Sequence, residues 1–265
     1  MLDLDAVLDH ALRAADEAGE ALMRYFGKTL ETHTKSSSDD FSTDADHAAE
    51  AIIVEALSAQ YPDHHIVAEE GGGYGAPKQG ASYRWYIDPL DGTINFANGI
   101  PYFAVSIALT DDQDEPLVGV IYHPPLRERF CAVKDQGTTL NGQPIRVSKV
   151  DNLDESIVSS GFPYAKKVDP DNNTREWSAM IPRVRGLRRM GSAAIDLSYV
   201  AAGRLEAHWE RNLSPWDYMA GVLCVREAGG LVTDLSGQSQ LDLKAGKVAA
   251  SNGHVHEALI GILSG

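Results

Sequence analysis

Apolar side chains recur at helical spacing in two long segments near the start of the chain. In the first, leucine, valine, alanine and aromatic residues repeat every three or four positions over residues 4–26, and Gly27 follows as a helix stop. The second opens near Thr43, carries alanine, isoleucine and leucine on one face, and ends at Tyr61 and Pro62. The pattern predicts two amphipathic helices.

Short apolar runs bounded by turn residues follow these helices. Such runs are typical of strands, and they cover residues 66–68, 84–87, 103–109, 117–122 and 129–133. Asn141-Gly142 is a hairpin turn signal, and a further short run covers residues 157–159. The first half of the chain is therefore predicted to be helices followed by a strand-rich stretch.

The second half begins with a polar, proline-rich region over residues 162–185, which we interpret as loops and a short helix. Such loops are where specificity varies most easily. Helices are predicted at residues 193–202 and 216–228, because Gly203 and Gly229-Gly230 follow them as stops. Without repeats or a clear linker, we expect residues 1–265 to form one layered α/β or α+β domain.

The charge balance is strongly acidic, with 38 acidic against 23 basic residues and a formal net charge of -15. A surface of that sign repels nucleic-acid backbones and anionic lipid, so nucleic-acid and membrane partners are disfavoured. A phosphorylated substrate would be repelled too. A phosphate site would therefore need metal cations or helix N-termini to reverse the local field.

The patterns of several other catalytic and metal-binding classes are missing from the sequence. Cys131 and Cys224 form no C-x-x-C pair, which argues against zinc or a disulfide scaffold and predicts buried thiols. The nine histidines lack H-E-x-x-H or zinc-finger spacing, and no Gly-x-Ser-x-Gly elbow is present. Residues 1–10 lack the basic segment of a signal peptide, and no run approaches ~18 apolar residues. We expect a cytoplasmic protein.

One segment has the chemistry of a metal site. The apolar run at residues 85–87 leads into Asp88, after which a proline and a sharp turn would bring Asp91 back beside it. Two such carboxylates can bridge two ions, and Mg²⁺ prefers oxygen ligands such as these and the Leu90 carbonyl. The amides of Gly92 and Thr93 could cradle an anion. Asp-Pro and Asp-Gly are also common turn dipeptides, and local grounds alone favour that alternative.

Three further acidic positions have ordinary structural interpretations beside a functional one. Asp46 follows Thr43 by three residues and fits a capping box. Asp217 stands in the same relation to Ser214, with a proline at the first helical position. Glu69-Glu70 fits a solvated strand end. None of these positions identifies a function by itself.

Taken together, these residues resemble the inositol monophosphatases. The run from Asp88 to Phe96 resembles the signature D-P-[IL]-D-G-T-x-N-F, the run from Ser214 to Gly221 resembles W-D-x-x-A-G, and Gly191-Ser192-Ala193-Ala194 resembles a G-[ST]-A-A loop. Lys35-Ser36, Thr43-Asp44-Ala45-Asp46 and Glu69-Glu70 occur upstream in the expected order. The similarity runs from about residue 5 to about residue 255.

The resemblance implies a layered α-β-α-β-α sandwich of the type shared with fructose-1,6-bisphosphatases. It also implies a lithium-sensitive enzyme, usually a homodimer, with two or three Mg²⁺ ions in each site. Within residues 1–265 it implies a metal-binding half over about residues 1–150 and a substrate-facing half over about residues 151–265.

The resemblance also implies roles for individual residues. Glu69, Asp88 and the carbonyl of Leu90 would hold one Mg²⁺, and Asp88, Asp91 and Asp217 a second. The catalytic group would be Thr93 with Asp46, which orient and deprotonate a water, together with Glu69. The amides of Gly92 and Thr93 would bind phosphate. The alcohol would be met by Gly191, Ser192, Ala193, Glu210 and Asp217.

The implied function is hydrolysis of a phosphate monoester by a metal-activated water, with myo-inositol 1-phosphate favoured as substrate. Alternatives within the same fold are histidinol phosphate, fructose 1,6-bisphosphate, NADP and 3′-phosphoadenylates. The basic cluster Arg183, Arg185, Arg188 and Arg189 could contact a second phosphate, or it could be a solvated or dimer-facing stretch. A regulatory protein that binds transcription machinery is the alternative from another class.

Four carboxylates placed together repel one another strongly. Without cations we therefore expect either partial disorder at this site or raised carboxyl pKa values.

Overall fold

The computed structural model describes residues 2–37, 40–74 and 82–265. Over these residues the chain forms seven α-helices, which are α1 (Leu4–Tyr25), α2 (Asp44–Gln60), α3 (Thr93–Ala97), α4 (Thr174–Met180), α5 (Ala193–Ala201), α6 (Pro215–Glu227) and α7 (His256–Leu263). The strands in the same ranges are β1 (Thr32–Ser37), β2 (Asp40–Thr43), β3 (His65–Ala68), β4 (Gly72–Tyr74), β5 (Tyr83–Asp91), β6 (Ala104–Asp111), β7 (Pro116–His123), β8 (Glu128–Val133), β9 (Gly137–Leu140), β10 (Gln143–Ile145), β11 (Ile157–Ser160), β12 (Gly186–Arg188), β13 (Ala207–Glu210), β14 (Leu231–Thr233) and β15 (Val248–Ser251).

The strands form two large sheets and a small hairpin. The first sheet has the order β10-β9-β8-β7-β6-β5-β3-β4 and is antiparallel except for the parallel pair β3 and β5. The second sheet has the order β12-β11-β13-β15-β14, in which β11 runs parallel to both of its neighbours. β1 and β2 pair with each other as an antiparallel hairpin.

Helices fill three layers around the two sheets. α1 and α2 cover one face of the first sheet, and their apolar faces enclose a core with Trp85 and Phe103. α5 and α6 lie between the two sheets and build a second core. α7 and α4 close the outer side of the second sheet around Trp209. The predicted layered α-β-α-β-α sandwich is confirmed. Within the described part of the chain, no helix is both long and apolar enough to cross a membrane.

The strongly periodic segments fold as predicted. α1 ends just before Gly27, whose φ of +77° fits a helix stop. Thr43 is the N-cap of α2, and its backbone N–H bonds the Asp46 carboxylate in a capping box. Asn141 and Gly142, both with positive φ, join β9 to β10 as the predicted hairpin turn. The region after residue 162 contains loops and the short helix α4. Cys131 and Cys224 are buried free thiols.

One predicted strand end is wrong. β5 does not stop at Asp88 but continues through the proline to Asp91, and its pairing with β6 shifts between those two residues. The irregularity is a bulge, which re-aims side chains at the end of a strand. The turn comes at Gly92 instead, so the two aspartates lie on one irregular strand end.

Several elements of the second half were not predicted at all, namely β12, β13, β14, β15 and α7, and the hairpin of β1 and β2 was also missed. β13 and β15 lie inside the second sheet, and all of β15 is buried. A strand covered on both faces shows no alternation of polar and apolar positions. The small residues of β15 therefore carry no period-2 signal, whereas β13 alternates apolar and polar residues but is only four residues long.

Candidate active site

A cavity of about 300 Å³ opens where the ends of β3, β5 and β13 meet the N-termini of α5 and α6. All the predicted site residues line it except Asp46: these are Glu69, Asp88, Leu90, Asp91, Gly92, Thr93, Gly191, Ser192, Ala193, Glu210 and Asp217. Asp46 is fully buried behind Thr93. The fold thus brings together residues from both halves of the chain.

The bulged end of β5 fixes the centre of this cavity. Asp88 is 2% exposed, and its Oδ1 atom accepts the backbone N–H of Leu90 at 2.9 Å. Gly92 follows with a φ of +101°, and a Cβ atom there would lie 2.9 Å from the Tyr102 carbonyl oxygen. Only glycine fits both constraints. The close approach positions the start of α3, and with it Thr93.

Thr93 connects the cavity to α2. Its hydroxyl lies 3.1 Å from Asp46 Oδ1 and 3.0 Å from the Leu90 carbonyl oxygen. The other carboxylate oxygen of Asp46, Oδ2, accepts the backbone N–H of Thr43 at 2.8 Å and the Thr43 hydroxyl at 2.6 Å. The capping-box interpretation of Asp46 is correct, and the same carboxylate also holds the Thr93 hydroxyl. A helix cap therefore orients a group of the cavity wall.

Asp91 ties β5 to the N-terminus of α5. Its Oδ2 atom accepts the Ser192 hydroxyl at 2.6 Å and the Ala194 backbone N–H at 2.7 Å. A carboxylate at the start of a helix is favoured by the exposed N–H groups there. Because both donors address the same oxygen, the other oxygen can serve a cation.

Asp217 repeats this arrangement at α6. Its Oδ2 atom accepts the Ser214 backbone N–H at 2.7 Å, three residues before it, and Pro215 occupies the first turn. The structural interpretation of Asp217 is therefore correct as well. Asp88, Asp91 and Asp217 are each anchored through one oxygen by a protein donor, which makes the geometry of the cluster rigid.

The acids in the cavity raise one another's pKa values. Burial, followed by the charges of Glu69, Asp91 and Asp217, raises the pKa of Asp88 well above its usual range. Burial and the charges of Glu69 and Asp91 do the same for Asp217. Crowding of like charges away from water therefore disfavours the fully ionised cluster.

Two further carboxyls in and behind the cavity are shifted to near neutrality. Burial raises the pKa of Asp91 to about 7 although Ser192 and Ala194 oppose the shift. Burial also raises the pKa of Asp46 to about 7 against its hydrogen bonds from Thr43. Both shifts agree with the raised carboxyl pKa values expected of a cluster without cations.

Glu69 continues from β3, where its backbone N–H bonds the Ile87 carbonyl oxygen, and its carboxylate faces Lys35 of the hairpin. Lys35 Nζ lies 2.8 Å from Glu69 Oε1 and 2.5 Å from Glu70 Oε1. Burial would lower the pKa of Lys35, but the two glutamates raise it above its usual range. Burial raises the pKa of Glu69, and Lys35 opposes that shift. Lys35 therefore supplies a positive charge to an acidic cavity.

The oxygen-rich chemistry of the cluster suits a hard divalent cation. Glu69, Asp88, Asp91, Asp217 and the Leu90 carbonyl could hold such an ion, and positive charge would relieve the repulsion among the carboxylates. Within residues 2–37, 40–74 and 82–265, no three acidic, histidine or cysteine side chains already stand in a coordinating arrangement. Glu69 pairs with Lys35 instead, and Asp91 with Ser192 and Ala194.

Glu210 lines the cavity at the end of β13. Its carboxylate packs so tightly on Gly161 that a methyl group there would overlap it. Arg189 is the member of the predicted arginine cluster that lines the cavity. All four arginines of the cluster are exposed, and Arg183, Arg185 and Arg188 do not line the cavity. Of the four, Arg189 is therefore the one placed to contact a molecule in the cavity.

Sequence reasoning missed Lys35, Gly161, Tyr164 and Asp196, which line the cavity, and also His208, which is buried behind its wall. Lys35 was noticed only as part of the resemblance, and Tyr164 follows an aromatic residue and a proline at the start of the polar region. His208 lies two positions before Glu210 on β13, so the two side chains share one face of that strand. Predicting the strand would have identified His208. Nothing in the sequence links Asp196 to the cavity.

Comparison with known proteins places this geometry in context. The model of the inositol monophosphatase family matches residues 3–264. An inositol-1-monophosphatase from Synechocystis is 44% identical over 257 residues, covering 97% of this chain and 88% of the relative. Nus factor SuhB from Pseudomonas aeruginosa is 41% identical over 261 residues, covering 97% and 95%. The solved inositol monophosphatase from Anabaena superposes with a TM-score of 0.89 at 40% identity, covering 99% and 97%.

Proposed function

Because the chain belongs to the inositol monophosphatase family, we propose that it hydrolyses the phosphate monoester of a polyol in a Mg²⁺-dependent reaction. The observation that carries this proposal is the carboxylate cluster of the cavity, which stands beside the bonded pair of Thr93 and Asp46. The favoured substrate is myo-inositol 1-phosphate, which would give inositol and phosphate.

Glu69, Asp88, Asp91, Asp217 and the Leu90 carbonyl would hold Mg²⁺. When bound, the metal would acidify a water and stabilise negative charge on the leaving oxygen. The anchoring of one oxygen on each aspartate supports this role, since a rigid set of ligands needs little rearrangement to receive an ion. The proposed reaction requires no covalent nucleophile.

Thr93 and Asp46 would handle the attacking water. The Thr93 hydroxyl donates to Asp46, so its oxygen can accept a hydrogen bond from a water and orient it. Asp46, whose pKa is raised to about 7 by burial, is poised to take up a proton near neutral pH through this hydroxyl. Glu69, which lines the same cavity, would assist.

The backbone of the following turn would bind the phosphate. The amides of Gly92 and Thr93 open the segment that leads into α3, and Gly92 allows this backbone to pack closely on the Tyr102 and Gly191 carbonyl oxygens. Arg189 borders the same cavity and could meet a second phosphate. This position keeps fructose 1,6-bisphosphate, NADP and 3′-phosphoadenylates among the alternative substrates, beside histidinol phosphate.

The alcohol part of the substrate would contact Glu210, Asp217 and the loop Gly191, Ser192 and Ala193. Glu210 lines the same cavity as the phosphate-binding turn and can accept hydrogen bonds from hydroxyl groups. We therefore assign polyol recognition to this wall, which belongs to the half of the chain over about residues 151–265. The half over about residues 1–150 would supply the metal ligands except Asp217, so residues 1–265 would work as one unit.

The name of one relative favours a second candidate. Nus factor SuhB is 41% identical to this chain, and its name is not that of a phosphatase. The corresponding proposal is a regulator that binds transcription machinery. Binding to purified transcription complexes together with no turnover of any phosphate ester would favour it. We further propose that the protein resides in the cytoplasm and forms a homodimer. Gel filtration with light scattering can test the homodimer.

Phosphate release from a panel of substrates tests the primary proposal. The panel contains myo-inositol 1-phosphate, histidinol phosphate, fructose 1,6-bisphosphate, NADP, 3′-phosphoadenylates and p-nitrophenyl phosphate, each with Mg²⁺ or with EDTA. We expect Mg²⁺-dependent release, with the highest kcat/KM for the inositol ester. No release from any member of the panel would overturn the proposed enzyme, and a preference for another member would overturn the substrate alone.

A further inference from the structure

A buried chain of polar groups runs from α5 to Glu210 behind the cavity wall. Tyr102 donates its hydroxyl to Asp196 Oδ1 at 2.8 Å. Asp196 Oδ2 lies 3.5 Å from Nδ1 of His208, and Nε2 of His208 lies 3.5 Å from Glu210 Oε2. Ser159 Oγ is 2.9 Å from the same Nδ1 atom. The histidine thus stands between two carboxylates, one in the core and one in the cavity.

His208 has no contact with solvent. Its exposure is 0%, and Nε2 makes no hydrogen bond to any of the described residues. A buried polar nitrogen left in this state is costly unless a charge partner lies near it. Glu210, two positions later on the same face of β13, supplies that partner.

Two contacts limit where the Glu210 carboxylate can lie. Its Oε2 atom lies 3.5 Å from Nε2 of His208, so a proton on that nitrogen attracts it. Gly161 adds a steric limit, because its missing side chain provides the space that the carboxylate occupies.

We propose that His208 is a positioning residue, which together with Gly161 holds the Glu210 carboxylate in the orientation that selects the polyol. The proposal rests on the proposed function, since it takes Glu210 as the group that meets the alcohol. His208 itself does not reach the substrate. It acts through the carboxylate that it faces.

The charges around His208 support this role. Burial by itself would lower the pKa of His208, but the Glu210 and Asp196 carboxylates, with a smaller effect of Asp91, raise it above its usual range. Burial raises the pKa of Asp196 to about 6, and His208 opposes that shift. An imidazolium between two carboxylates attracts both, so the histidine couples α5 to the cavity wall.

Four variants test the proposal through the ratio of kcat/KM for the inositol ester to kcat/KM for p-nitrophenyl phosphate. His208→Phe keeps an aromatic ring but removes both nitrogens, so we expect the ratio to fall about 10-fold, mainly through KM. His208→Gln can place an amide donor where Nε2 stands, and we expect a ratio within about 3-fold of wild type. Gly161→Ala should lower the ratio as His208→Phe does. His256→Phe removes a different buried histidine, bonded to Thr233 and Ser251, and should not change the ratio.

A double-mutant cycle separates positioning from damage to the fold. Glu210→Gln should lower the same ratio, and adding His208→Phe to it should lower the ratio no further, because residues that act through one group are not additive. Thermal unfolding of each variant accompanies the kinetics. If His208→Phe proves unfolded, His208→Gln and Gly161→Ala still test the proposal. A near-normal ratio in His208→Gln together with a lowered ratio in Gly161→Ala supports it.

Two outcomes would overturn the proposal, and they differ from failure of the proposed function. If Glu210→Gln lowers the ratio while folded His208→Phe and Gly161→Ala do not, Glu210 selects the alcohol independently of His208 and Gly161. The positioning role is then wrong. Multiplicative losses in the double variant would contradict it in the same way. If Glu210→Gln leaves the ratio unchanged, the assigned role of Glu210 fails first and the positioning role fails with it.

Discussion

The Thr93 hydroxyl lies 3.1 Å from Asp46 Oδ1, and this contact joins two residues that are 47 positions apart in the chain. It brings a helix cap and a turn of the cavity wall into one unit. Thr93→Val removes the hydroxyl and keeps the shape of the side chain. We expect kcat to fall by about 100-fold or more, since a positioned group for proton transfer contributes about that much. Steady-state phosphate release provides the measurement.

Thr93→Ser is the matched control for this substitution, because it restores the hydroxyl without the methyl group. Its kcat should stay within about 10-fold of wild type. Similar turnover in Thr93→Val and wild type would show that the hydroxyl does not orient the water. Melting temperatures of both variants identify any loss that comes from the fold.

Local rules explain why the helix-capping roles of Asp46 and Asp217 could be predicted from the sequence. Each follows a serine or threonine by three residues at the start of a helix, and each caps that helix. Capping depends on neighbours in the chain and so can be read from the sequence. The convergence of Asp46 with Thr93 depends instead on how α2 packs beside β5, and the sequence indicated it only through the family resemblance.

The raised pKa values predict how the stability of the metal-free protein depends on pH. In the folded protein Asp46 and Asp91 titrate near pH 7, whereas their ordinary value is 3.8. Between those values the folded state binds more protons than the unfolded chain, so the free energy of unfolding decreases as pH rises. We expect the stability contributed by protonation of these two aspartates to be lost as the pH rises from about 4 to about 7. Urea unfolding in EDTA at several pH values measures it.

Asp91→Asn tests the assignment of this slope. The variant removes one of the titrating groups, and each such group contributes at most about 1.4 kcal/mol per pH unit while it titrates. The free energy of unfolding should therefore change less steeply with pH than in wild type. Parallel curves for the two proteins would mean that Asp91 has an ordinary pKa in the folded state.

The same substitution should weaken the response to Mg²⁺. Asparagine can still accept a hydrogen bond from Ser192 or Ala194, but it carries no charge for a cation. We expect the half-saturating Mg²⁺ concentration to rise by about 10-fold or more, with most activity lost at moderate Mg²⁺. Ser192→Ala keeps the carboxylate and removes one donor, so its response should change less. Near-normal turnover of Asp91→Asn at moderate Mg²⁺ would contradict the assignment.

Gly92 should resist substitution more than a glycine with similar backbone strain. Gly92 and Gly99 both have positive φ, but a Cβ atom at Gly92 would meet the Tyr102 carbonyl oxygen at 2.9 Å, whereas nothing lies within 4 Å at Gly99. Gly99→Ala should cost about 1–2 kcal/mol of stability from strain alone and keep activity. Gly92→Ala should cost more and lose activity. Chemical unfolding and phosphate release measure both, and equal behaviour of the two would show that the close approach has no consequence.

The buried second sheet marks the limit of what the sequence predicted. Asp88 and Asp91 were recognised because aspartate, proline and glycine in one short segment restrict both the turn and the chemistry. His208 was missed because β13 spans only four residues, so its alternation of apolar and polar positions is too short to identify a strand, and the shared face of His208 and Glu210 was not visible. The bulge of β5 was missed because it depends on pairing with β6.

Release of phosphate from myo-inositol 1-phosphate, followed with Mg²⁺, with EDTA, and in Asp88→Asn with Mg²⁺, tests the central claim most directly. Asp88 would contact both ions, so the account predicts turnover in wild type with Mg²⁺ and a loss of about 100-fold or more both on chelation and in the variant. Turnover that survives EDTA and the loss of the Asp88 carboxylate would contradict a metal-dependent mechanism at this site.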